Sequence, residues 1–165
     1  MTALLPLTYR YSEMESADMD ESSLLKQLQK TWYQTIPVSQ FMQITPLEFS
    51  KHGFSVTAPL APNVNLHQTM FAGSIYTLMT LSGWGMVWLQ QQLAKVEGDI
   101  VLADANVRYI APVTVAPIAK TTWVDADLSA LQLGKRVRIG LTIELWCADK
   151  RCAVFEGRFV SLPKK

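Results

Sequence analysis

The sequence predicts one α+β domain in which a long, buried helix is wrapped by a curved antiparallel sheet. Three features predict it. No Asp, Glu, Lys or Arg occurs from His52 to Ala94, and Phe71 to Leu93 inside that stretch is apolar nearly all round. Such a segment, about six turns long, must be covered on every side. Further on, Val137, Ile139, Leu141, Ile143 and Leu145 alternate with Arg138, Gly140, Thr142, Glu144 and Trp146, the period-2 pattern of a half-buried strand. Finally, 165 residues with 49% hydrophobic and 18% charged side chains suit one domain with one core. A charged fraction below the ~25% of an average soluble domain points to extra apolar surface, such as an oligomer interface.

The elements follow in order. Residues 1 to 20 carry Glu13, Glu15, Asp18 and Asp20 with little apolar period and read as a flexible arm, leaving 21 to 165 as the domain. Ser22 or Ser23 is the expected cap of a helix over roughly 22 to 35, whose apolar face is Leu24, Leu25, Leu28 and Trp32. Pro37 ends it. Residues 40–49 and 53–60 read as two strands joined at Lys51-His52-Gly53, His52 being a turn residue. Past the long helix come strands over Ile100 to Pro112 and Ala116 to Asp125, then the alternating strand. A turn at Ala148-Asp149-Lys150-Arg151 leads to a last strand from Cys152 to Leu162. Trp84 and Trp88, four apart, read as core or interface packing.

Several function classes are set aside at this level. A net charge of +1 offers no field for nucleic acid or an anionic membrane. Phe71 to Leu89 reaches the length of a membrane span, but Gly73, Ser74, Thr77, Thr80, Ser82, Gly83 and Gly85 punctuate it and amphipathic strands surround it. Two cysteines and two histidines at no ligand spacing argue against a metal, and Cys147 and Cys152 are expected as reduced thiols flanking the last hairpin. The start has no basic, signal-like segment, so the expected location is cytoplasmic.

The stretch that carries chemistry is Asn63-Val64-Asn65-Leu66-His67-Gln68-Thr69-Met70-Phe71-Ala72-Gly73-Ser74. It sets polar side chains against the start of the longest helix, where the first N–H groups lack internal partners and the dipole is positive. A thioester carbonyl turning into an oxyanion needs such donors, and Gly73 lets a ligand approach the backbone. The plain alternatives stay open. Asn63 and Asn65 are also Asx-turn residues, His67 also a solvent-facing loop residue, and Thr77 and Thr80 also helix residues bonding back one turn.

The run Asn65 to Gly85, NLHQTMFAGSIYTLMTLSGWG, resembles the hot-dog-fold acyl-thioester proteins, in which a loop Asn precedes a (His/Phe)-(Gly/Ala)-Gly turn opening the central helix. It looks most like the thioesterase-like domain that follows a GNAT acetyltransferase domain in some bacterial proteins. The matching pieces are Asn63, Asn65, Thr69, Phe71 to Ser74, and Leu81 to Gly85, and Ile100 to Val113 with Tyr109 and Pro112 is similar to the strand that follows. No acetyltransferase pattern occurs in this sequence, so that activity is not expected of it. The resemblance implies a hot-dog domain with an N-terminal helix, working as a homodimer or dimer of dimers. It implies an acyl-CoA or acyl-carrier-protein thioesterase of fatty-acid metabolism. The coenzyme A or phosphopantetheine thioester is then the substrate, and no cofactor is implied.

Position by position, the resemblance puts the thioester- or water-orienting Asn at Asn65 and the carbonyl-polarising N–H at Ala72, with Gly73 beside it. The family's helix carboxylate falls on Thr80, which can hold a water but cannot deprotonate it. His67 is the nearby base candidate, because an imidazole ordinarily titrates near ~6.5. Asp104 is a second, carried by a strand that can line a neighbouring subunit's cleft. Asn63, Thr69, Phe71, Ser74 and Thr77 are candidate substrate contacts. Arg108, Lys135 and Arg136 are candidate cations for phosphate or an acidic carrier, the last two equally a solvated hairpin. Met70, Met79 and Met86 suit an adaptable acyl pocket. Thr80 is also the reason to keep a second function class, a module that binds acyl thioesters without turnover. Dehydratase chemistry ranks lower, since the helix supplies no carboxylate.

Overall fold

The structure is a computed structural model and describes residues 20–165. The expected arm over residues 1 to 20 therefore lies outside it, save Asp20, whose carbonyl accepts from the Ser23 and Leu24 N–H groups at 2.8 and 3.1 Å. Asp20, rather than Ser22 or Ser23, caps α1 (Glu21–Thr35), and no side chain makes the cap bond. The apolar spacing holds: Leu24, Leu28 and Trp32 are fully buried along one face.

One expected strand starts late. Residues 40–41 are helical, because Pro37 does not simply end α1 but opens a second helix, α2 (Pro37–Phe41), at its first position. A proline there loses no bond, since the first N–H groups of a helix have no internal acceptor. Ile36, barred from helical geometry by the following proline, makes the corner (φ −129°, ψ 79°), and Ser39 Oγ donates to its carbonyl at 2.7 Å. Gln43 then turns left-handed (φ 57°), and β1 (Thr45–Phe49) begins.

The remaining elements are β2 (Gly53–Thr57), α3 (Ala72–Ala94), β3 (Gly98–Tyr109), β4 (Ile118–Thr122), β5 (Val137–Cys147) and β6 (Lys150–Pro163). The strands form one six-stranded sheet in the order β1-β2-β4-β5-β6-β3, every pair antiparallel. The sequence did not announce the 3-10 segment Leu128–Leu133. It is capped by Asp127, whose carboxylate accepts from Ser129 N–H at 2.9 Å, and ended by Gly134 at φ 69°.

α3 lies across the sheet with the hot-dog geometry expected of it. Leu78, Met79, Met86, Val87 and Leu89 are sealed against Ile139, Ile143, Phe155 and Phe159. Each such side chain contributes about 1.5–3 kcal/mol by leaving water. The approach is close: a Cβ on Gly83 would stand 2.4 Å from the Phe159 ring. At the far end, Gln91 Nε2 donates to Ser161 Oγ (2.6 Å) and Gln90 Nε2 to the Lys51 carbonyl (2.9 Å), so the buried amides are satisfied. The helix runs opposite to β3. Its start meets Tyr109, Trp84 Nε1 donates to the Ile100 carbonyl at 3.1 Å, and its last turn reaches Gly98. No described helix is long and apolar enough to cross a membrane.

Candidate active site

The loop leading into α3 is closed by its own hydrogen bonds. Val64 bridges Met70, Asn65 N–H donates to the Thr69 carbonyl at 2.9 Å, and Gln68 N–H returns to the Asn65 carbonyl at 3.1 Å. Gln68 adopts φ 60°, which a non-glycine residue holds only when its surroundings impose it. What imposes it is Asn65. Its Oδ1 accepts from the N–H of His67 (2.8 Å) and of Thr69 (3.3 Å), and its Nδ2 faces Thr69 Oγ1 at 3.1 Å. The side chain is thus an Asx turn folded into its own loop.

Asn63 anchors the other side. Buried, it donates through Nδ2 to the Met42 and Pro59 carbonyls at 2.9 and 2.8 Å, while its Oδ1 has no partner. Its backbone carbonyl takes the Phe71 N–H (2.8 Å), and Met70 N–H bonds the Val113 carbonyl (2.9 Å). The loop is therefore clamped between the end of α2 and the segment after β3.

Phe71 turns the chain with extended dihedrals (φ −59°, ψ 136°), and α3 starts with no side-chain cap. Ile75 N–H makes the first helical bond, to the Phe71 carbonyl at 3.0 Å. Among the described residues nothing accepts from the N–H groups of Ala72, Gly73 or Ser74. Three donors at the positive end of a 23-residue helix thus point outward, which is the equipment an anionic oxygen requires. The Phe71 ring folds back over Gly73, so close that a Cβ there would stand 2.4 Å from it. Tyr109, the last residue of β3, donates its hydroxyl to the Ala72 carbonyl at 3.0 Å. Burial, with Tyr76 adding to it, pushes the Tyr109 phenol above its ordinary pKa and keeps it a donor.

Further along α3, Gly73, Thr77, Thr80, Trp84 and Trp88 form a half-buried stripe on a mostly buried helix. Thr77 Oγ1 bonds back to the Gly73 carbonyl at 2.9 Å, whereas Thr80 Oγ1 is buried with no partner.

The family described as Putative thioesterase (yiiD_Cterm) matches residues 25–163. The chain belongs to that family. A solved structure described as the putative thioesterase from Shewanella oneidensis is 61% identical, superposes with a TM-score of 0.84, and matches over 86% of this chain and 99% of its own. A protein of unknown function from Chlorobaculum tepidum is 26% identical over 87% of this chain and 97% of its own, TM-score 0.81. At the level of fold alone, the E. coli PaaI protein from the phenylacetic acid degradation operon aligns with a TM-score of 0.65 at 15% identity, over 87% of this chain and 96% of its own.

In this yiiD_Cterm-family chain the expected site residues divide into groups. Asn63, Asn65, Thr69, Phe71, Ala72, Gly73 and Ser74 come together at the α3 N-terminus. His67 sits exposed at the loop tip, its backbone held by Asn65. Thr80 does not join them. Seven residues along a helix is about 10 Å, so within one chain its hydroxyl cannot serve a carbonyl held by Gly73. Nor do Lys135 and Arg136. They precede Val137, which pairs with Ser161 and through it with Ile100, the opposite end of β3 from Tyr109. Arg108 is exposed beside Tyr109. Asp104 is exposed and ion-paired with Arg158. Cys147 and Cys152 are free and buried. The Cys152 thiol faces the Pro112 carbonyl at 3.6 Å, and in register Cys147 stands opposite Lys150 rather than Cys152. The contact sequence reading missed is Tyr109 on Ala72, residues 37 apart with no motif spacing to link them.

Proposed function

We propose that this chain hydrolyses acyl thioesters of coenzyme A or of acyl-carrier protein in cytoplasmic fatty-acid metabolism, with the uncapped start of α3 as its oxyanion site. The observation that carries this reading is the set of three free N–H donors on Ala72, Gly73 and Ser74 beside a rigid polar loop. The thioester oxygen docks on the Ala72 and Gly73 N–H groups. Water adds to the carbonyl carbon, and its proton passes to the His67 imidazole. The tetrahedral intermediate then collapses, the C–S bond breaks, and the imidazolium returns the proton to the leaving thiolate. Asn65 acts through the loop, holding the His67 backbone, instead of touching the substrate.

A homodimer completes the site in this reading. Among the described residues β3 is a bare sheet edge, and Leu66, Phe71, Tyr109, Ile110 and Val115 are exposed apolar side chains around the α3 start. Antiparallel pairing of two β3 edges lays the Gly98 end of one chain beside the Tyr109 end of the other. A second copy then brings its own Thr80 and its Lys135–Arg136 turn toward these donors, the turn serving the phosphates of the carrier.

The test is thiol release from a chain-length panel of acyl-CoAs and acyl-carrier proteins. Saturable hydrolysis is expected, reduced about 10²-fold in His67→Ala, the usual size of a lost general base. Unchanged hydrolysis removes His67 from the scheme. Binding without turnover on every substrate replaces the enzyme with a thioester-binding module, the second reading, which Thr80 at the carboxylate position favours.

A further inference from the structure

We infer that Tyr109 is a positioning residue for the oxyanion site, acting through the Ala72–Gly73 peptide; the inference rests on the thioesterase reading above. The Ala72 carbonyl and the Gly73 N–H belong to one peptide unit, which is planar and trans, so whatever fixes the oxygen fixes the direction of the N–H. That oxygen already lies in the helical ladder, and the Tyr109 hydroxyl adds a second donor from outside the helix at 3.0 Å. A carbonyl has two lone pairs and no proton, so the phenol must be the donor.

Two consequences follow from this geometry. The first turn of a helix frays because its early N–H groups are unbonded, and a tether from the sheet holds this one. A hydrogen bond to the carbonyl also draws charge through the peptide and makes its N–H a stronger donor, the cooperativity seen in bonded chains. Both favour the charged transition state over the neutral substrate, because only the former leans heavily on the donor.

The tether is itself held. Directly after Tyr109, the Ile110 and Ala111 N–H groups both donate to the Cys152 carbonyl, at 2.8 and 3.1 Å, fixing the end of β3 to β6. Tyr109 is 48% exposed, so its ring lies at the surface beside the α3 start. The backbone donor is thus aimed by a residue of the sheet edge, and edge and site are mechanically one unit.

The experiment is Tyr109→Phe, which keeps the ring and removes the hydroxyl. Expected are a roughly tenfold fall in kcat, on the scale of one weakened oxyanion donor, with KM and the unfolding temperature little changed. The Gly73 amide proton resonance is expected to move upfield as its peptide loses polarisation. A change in KM and thermal stability with kcat intact would reduce Tyr109 to packing and overturn the inference. Wild-type activity matched by the variant would overturn it as well, while leaving the thioesterase reading in place. If the wild-type chain cleaves no thioester, that reading falls, and the Gly73 resonance alone then decides: a shift supports the tether, and no shift overturns it.

Discussion

The two edges of the sheet are built on opposite plans. β1 is five residues long, carries Pro46, is broken by a bulge between Pro46 and Glu48, and has α1 packed on it, with Gln29 Nε2 reaching Thr45 Oγ1 at 3.4 Å. These are the devices by which natural sheets close an edge against further pairing. β3 is twelve residues long, has no proline, and pairs with β6 along its length apart from one bulge at Ala103. Among the described residues its other side is open. The contrast assigns roles: the β1 edge ends the sheet, and the β3 edge offers it for continuation. The candidate active site sits at the end of the open edge, not under the closed one. A groove of about 1020 Å³ lies on the closed side between α1 and strands β1, β2 and β4, away from the α3 start. Its size alone assigns it no chemistry.

Four substitutions break or sharpen this comparison. The largest effect belongs beneath the closed edge. Trp32 is fully buried against Phe54, ring centroids 6.4 Å apart. Trp32→Ala is expected to cost about 3–5 kcal/mol in chemical denaturation, with the turnover of the surviving folded protein unchanged. Next comes a matched pair of prolines at the two bulges, where no partner residue opposes the position. Ala103→Pro on β3 is expected to weaken self-association at least tenfold, about 1.4 kcal/mol, by sedimentation. Leu47→Pro on β1 is expected to leave association as it was. Equal behaviour of the two variants would erase the distinction between the edges. The smallest effect is Asp104→Asn, which breaks the exposed ion pair with Arg158 on β3. An exposed pair is worth ~0–1 kcal/mol, so the expected change in stability is within about 0.5 kcal/mol, with activity retained. A large loss of activity would restore Asp104 as a base.

Much of this was legible in the sequence, for physical reasons that also mark where reading stops. α3 and β5 declare themselves because burial imposes a period on many consecutive residues. α2 does not. Five residues, Pro-Val-Ser-Gln-Phe, cannot show a helical period, and their helicity comes from Pro37 at the first position and from the contact with α1. The loop and glycine turn were legible as a site because polar residues crowd a helix start. Which way Asn65 points was not, since an Asx turn and a substrate contact use the same side chain. Thr80 shows the converse limit. The family pattern aligned it with the site, but the helical rise sets it about two turns from Gly73 within the chain. Tyr109 shows a third: its partner is a backbone carbonyl, which leaves no mark in composition.

The close fit of Gly83 under Phe159, together with the Gln91–Ser161 bond at the other end of α3, has a bearing on how such a protein can change over time. A helix pinned in the middle and at its tail cannot slide or roll to suit a new ligand. It behaves as a fixed ruler laid across the sheet. New ligand preferences must then be written in what surrounds the ruler: the loop from Asn63 to Phe71 and the half-buried marks at Thr77, Thr80, Trp84 and Trp88. Divergence within the family is expected to concentrate there, while the spacing from Gly73 to Gly83 stays constant.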